Sequence, residues 1–84
     1  MNYTVQIERS AQKQLAKINS PHFEAISEKI LALEKNPRPA GCKKLTGRET
    51  WRIRVGDYRV LYTITDHLLL VLVIDIDHRK QVYR

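Results

Sequence analysis

Eighty-four residues with one cysteine and a formal charge of +6 describe a single small domain, residues 1–84, and exclude both an internal disulfide and a metal site built on cysteines. A chain of this length buries only about 60–65% of the surface its unfolded form exposes, so a deep substrate cavity is not expected. The charge is uneven: residues 37–84 carry ten of the 15 Lys and Arg against five acidic residues, the footprint of a partner that is a polyanion.

Tyr3, Val5 and Ile7 alternate with polar residues and predict a half-buried first strand. Ser10 is placed to cap a helix whose Ala11, Leu15 and Ile18 share a face, and Asn19-Ser20-Pro21 ends it. Ser20 as N-cap and Pro21 at the first helical position then open a second helix, with Phe23, Ile26, Ile30 and Leu33 on one side, until Asn36-Pro37 stops it. From Arg38 to Arg48 the chain is a basic loop, with a short strand near Lys43 to Leu45. Cys42 within it fits a reducing compartment.

The next stretch, Trp51-Arg-Ile-Arg-Val-Gly-Asp-Tyr-Arg59, carries the strongest local signal. Gly56-Asp57 is a two-residue turn with Gly first, as a type II′ hairpin requires. Pairing Val55 with Tyr58 sets Arg54 opposite Arg59, with Arg52 further along the same face, while Trp51, Tyr58 and Tyr62 turn to the apolar side. Like charges directly across a strand pair are destabilising unless an anion sits between them. The planar arginine fork matches phosphate oxygens. The plain alternative is a solvated face with ion pairs to Asp57 or Asp66. After a turn at Asp66-His67, Leu68 to Ile76 reads as a central strand covered on both faces, and Asp75 or Asp77 offers a partner for Arg79.

The expected fold is α+β: an N-terminal strand, a helical hairpin, then an antiparallel sheet of about four to five strands with both helices on one face. No secretory signal pattern opens the chain, and its longest apolar run, Leu68 to Ile74, falls far short of the ~20 residues that cross a membrane. A soluble, cytoplasmic protein without membrane contact is expected.

In Lys44-Leu-x-Gly47, in Trp51 to Tyr62, in the apolar strand and in His78-Arg-x-x-Val-Tyr83, the chain resembles the RelE/ParE superfamily of toxins from bacterial toxin–antitoxin systems, particularly its RelE branch. The resemblance implies a ribosome-dependent messenger-RNA endonuclease that blocks translation by cutting in the A site. The chemistry would be transesterification by the 2′-hydroxyl, with no metal and no cofactor. It implies a RelB-like cognate antitoxin as partner, so that the toxin is monomeric when free and hetero-oligomeric when inhibited. Arg59 takes the position of a phosphate-binding arginine, Arg79 that of a second functional arginine, and Tyr83 that of a C-terminal tyrosine. Arg52 and Arg54 stand where some members carry lysine. Since arginine does not surrender its proton, they would hold the RNA backbone, helped by Lys43, Lys44 and Arg48. An unperturbed imidazole titrates near 6.5, which makes His78 the candidate general base. The same scaffold also serves ParE-like poisons of DNA gyrase, which need no nuclease chemistry, and a nucleic-acid-binding module without catalysis is a third possibility.

Overall fold

The computed structural model describes residues 2–78. Strand β1 (Thr4–Ile7) is followed by helices α1 (Arg9–Ala16) and α2 (His22–Ala32), then by β2 (Lys43–Lys44), β3 (Trp51–Val55), β4 (Tyr58–Thr65) and β5 (Leu70–His78). The five strands form one sheet in the order β1-β5-β4-β3-β2. Strands β2 to β5 are antiparallel, and β1 joins parallel to β5, pairing Thr4 with Leu70 and Ile7 with Val73. That parallel edge makes the sheet mixed and β5 an interior strand. A strand flanked on both sides is what a run as apolar as Leu70 to Ile74 requires.

Both helices cover one face, α1 over β5 and α2 over β3. Ala11, Ile26 and Leu33 meet Tyr62, Val60, Val71 and Val73 there, all with no exposed surface. Tyr62 can be buried because its hydroxyl donates to the Pro37 carbonyl at 2.7 Å. Phe23, expected in this seam, lies at the start of α2 and remains 39% exposed.

Both helices start differently from expectation. Helix α1 begins at Arg9, because the Glu8 carbonyl already accepts the Gln12 N–H at 2.8 Å, so Ser10 sits inside the first turn. Helix α2 begins one residue after Pro21, and the Ser20 hydroxyl donates to the Glu24 carboxylate at 2.7 Å instead of capping a backbone N–H. Leu68 also departs from the strand expected of it. Asp66–Leu68 close a 3₁₀ turn in which the Leu69 N–H donates to the Asp66 carbonyl at 3.0 Å, and β5 starts at Leu70. The Asp66 carboxylate is itself engaged, by the Arg38 guanidinium at 2.9 and 3.2 Å and by the Tyr3 hydroxyl at 2.6 Å. Arg38 in turn lies over the Trp51 ring, 5.1 Å from its centre. This knot ties the loop after α2 to the β4–β5 turn and the start of β1.

One irregularity decides what faces where. Between β4 and β5 the register runs Leu61 to Asp75 and then Tyr62 to Val73, which leaves Ile74 as an extra residue on β5. Strict alternation would put Asp75 and Asp77 on the same side as Val71 and Val73, in the core. The bulge shifts the phase, so that Ile76 enters the core and the two aspartates turn to the face away from the helices.

Candidate functional site

The hairpin forms in the register the sequence dictates. Val55 pairs with Tyr58 and Arg54 with Arg59 across a turn in which Gly56 has φ +60°. Asp57 has no positive φ, which suits a type II′ turn and excludes type I′. Ile53, Val55 and Val60 point to the helices, so Arg52, Arg54 and Arg59 share the opposite face. Strand β2 adds Lys43, which pairs with Arg52. Four cations from three strands therefore stand together on the sheet face opposite the helices.

The arginines are not equally free. Arg54 is exposed at the edge of β3 that β2 leaves unpaired, beside a cleft of about 250 Å³ lined also by Lys29, Pro39 and Gly41. Arg52 and Arg59 are half-buried, and the Nε–H of each is shielded from solvent with no acceptor among the described residues. Leu61, buried on this face but outside the helix-side core, lies opposite Arg52 and two residues from Arg59. Ion pairs to Asp57 or Asp66 do not account for this cluster. Asp66 is paired with Arg38 on another part of the molecule, and no sheet arginine has a carboxylate within 4 Å among the described residues.

Two acidic side chains join the arginine face because of the bulge. Asp77 is the cross-strand partner of Arg59, and Asp75 lies two residues back opposite Leu61. Hydrogen bonding to Asp75 is the main force raising the Asp77 carboxyl to about 6. Partial burial and the negative charge of Asp75 act the same way, and the Arg59 guanidinium opposes them. Gln14 of α1 holds this segment where β1 no longer covers the edge of β5: its Oε1 accepts the Ile76 N–H at 2.8 Å, and its Nε2 donates to Asp75 Oδ1 at 2.7 Å. The two acids were legible only as partners for Arg79, and Gln14 had no sequence signal at all.

The remaining candidates are dispersed. Lys44 pairs with Trp51, faces the other side of the sheet from Lys43, and meets Glu49 at 3.3 Å. Arg48 is exposed in the loop between β2 and β3. His78 lies opposite Tyr58 on the helix side, its ring edge-on to the tyrosine with centres 5.0 Å apart, and His22 approaches the same tyrosine at 5.4 Å. His78, the candidate general base by resemblance, therefore stands apart from Arg52, Arg54 and Arg59, since the residue after Asp77 must point the other way. Arg79 and Tyr83 lie outside the described residues. Among the described residues no His, Cys, Asp or Glu side chains group as a metal site, and no helix is long and apolar enough to cross a membrane.

A profile of the family described as the ParE toxin of the type II toxin–antitoxin system parDE matches residues 5–83. The toxin RelG of Mycobacterium tuberculosis is 33% identical over 88 aligned positions, which span 100% of this chain and 99% of the relative. Two solved complexes share the fold closely. The archaeal RelE–RelB complex of Pyrococcus horikoshii superposes with a TM-score of 0.84 at 28% identity, covering 94% of this chain and 97% of that one. The RelBE2 toxin–antitoxin complex of M. tuberculosis gives 0.83 at 30% identity, covering 94% and 100%.

Proposed function

Because this chain belongs to the ParE toxin family of type II toxin–antitoxin systems, with toxins named RelE and RelG among its relatives, we propose that it is a toxin of the RelE kind that cleaves messenger RNA on the ribosome. The observation that carries this reading is the clustering of Arg52, Arg54, Arg59 and Lys43 on one sheet face, with the Nε–H groups of Arg52 and Arg59 lacking an acceptor among the described residues. With no carboxylate within 4 Å among the described residues, these guanidinium groups are available to an anion. A phosphodiester fits, because its non-bridging oxygens accept two arginine forks at once. In the reaction the ribose 2′-oxygen attacks phosphorus, the bond to the 5′-oxygen breaks, and the products are a cyclic phosphate and a free 5′-hydroxyl. Arg59 stabilises the charge that grows on the non-bridging oxygens, while Arg52, Arg54 and Lys43 align the strand. By resemblance Arg79 serves the scissile phosphate or the leaving oxygen, and Tyr83 stacks on a base or orients the attacking hydroxyl. The inhibitor of this activity is a RelB-like antitoxin, as in the complexes whose toxins share the fold.

The match to a ParE toxin family keeps open a second reading, implied by resemblance to ParE-like toxins: a poison of DNA gyrase that binds protein and cuts nothing. Mapping breaks in a translated message at nucleotide resolution, alongside an assay of gyrase-dependent DNA breaks, separates the two. The nuclease reading expects cuts in the message that fall about 10²–10³-fold in rate in Arg59→Ala. Gyrase breaks with an intact message would overturn it.

A further inference from the structure

We propose that Asp77 is the general base of the cleavage reaction, taking the proton of the attacking 2′-hydroxyl, with Asp75 and Gln14 as the residues that position it. This rests on the nuclease reading above. The sheet arginines hold their protons too tightly to act as a base, and His78 stands on the other side of the sheet. Asp77 is on the correct side. As the direct cross-strand neighbour of Arg59, its backbone lies about 5 Å from that of Arg59, so a phosphate bound by Arg59 brings its adjoining ribose within reach of the carboxylate. Asp75 lies opposite Leu61 rather than an arginine, and its Oδ1 accepts a 2.7 Å hydrogen bond from Gln14, which suits a positioning role.

Among the described residues, the charged groups acting on Asp77 are Arg59 from β4 and Asp75 from its own strand, and α1 contributes the neutral Gln14. Their balance lifts its basicity above that of an ordinary carboxylate while leaving it mostly ionised at neutral pH, which suits a base working near pH 7. In the step, the 2′-oxygen forms its bond to phosphorus as its proton moves to an Asp77 oxygen. The bond from phosphorus to the 5′-oxygen breaks, and that oxygen takes a proton from water. Asp77 then returns its proton to solvent.

The test is single-turnover cleavage of a message bound to ribosomes, from pH 5 to pH 8, by wild type, Asp77→Asn and Asp75→Asn. Wild type is expected to lose rate in acid with a midpoint near 6. Asp77→Asn should fall about 10²–10⁴-fold and lose this acid limb while still binding programmed ribosomes. Asp75→Asn should move the limb to lower pH. Asp77→Asn that cleaves within threefold of wild type, or that slows yet keeps the limb, overturns the role of Asp77 and leaves the nuclease reading intact. Wild type that leaves the message whole overturns both. If Asp77→Asn does not fold, an unmoved limb in Asp75→Asn decides against the proposal.

Discussion

Arg59 and Arg52 each bury an Nε–H without an acceptor among the described residues, and Arg59 also faces Arg54 across the hairpin. A shielded donor left unpaired costs about 1–3 kcal/mol, so these side chains weaken the free fold that carries them. Replacing Arg59 with Met keeps the aliphatic stem and removes both penalties. It should raise stability by about 1 kcal/mol, a gain of roughly 4–8 °C in Tm, while slowing cleavage about 10²–10³-fold. Asp66 sets a different expectation. Arg38 first, then Tyr3, hold its carboxyl down at about 2, below its unfolded value near 3.9. A depressed carboxylate contributes stability that is present above its unfolded value and lost as pH falls through its folded one. Melting followed between pH 4 and pH 2 should therefore decline less steeply in Asp66→Asn than in wild type. The sign is opposite for Asp77, whose raised value means that stability declines as pH rises from about 4 through 6. Asp77→Asn should melt higher than wild type at pH 7.5 and match it below pH 4.

At the scale of elements, the β3–β4 hairpin and the bulge in β5 show what local sequence does and does not encode. The hairpin could be read residue by residue, because Gly56 supplies the left-handed backbone its turn needs and each flanking strand alternates cleanly. Gly56→Val should destabilise the protein by about 1–2 kcal/mol in denaturant titrations, since the position has open space but a φ that a branched side chain resists. The bulge had no such signature. Leu70 to Ile74 is apolar throughout, so nothing in it marks which residue drops out of the ladder, and the phase of Asp75, Asp77 and His78 could not be fixed without the partner strand. For that reason the arginine face was legible in the sequence, whereas the carboxylates beside it and the displacement of His78 were not. Helix starts were misplaced for a related cause: Ser10 and Ser20 are suitable caps by type, but a neighbouring carbonyl and a carboxylate decided their roles.

The described residues divide into two sides, one covered by helices and one bearing a basic cluster on the opposite sheet face. Binding of single-stranded RNA should depend on salt with a slope that each phosphate-bound cation steepens by about 0.7. Lys43 belongs to the cluster and Lys44 points away from it towards Glu49. Titrations at several salt concentrations should therefore find a shallower slope in Lys43→Ala and an unchanged one in Lys44→Ala.

The parallel pairing of β1 with β5 gives this architecture an order in time. The β3–β4 hairpin closes through a two-residue turn, an event of about 1–10 μs. Strand β5 is held on its far side by β1, from the opposite end of the described chain, and contacts of such long range are slow to form. The arginines are thus assembled early in folding, Asp77 joins them as β5 folds back antiparallel on β4, and the parallel edge at β1 closes last.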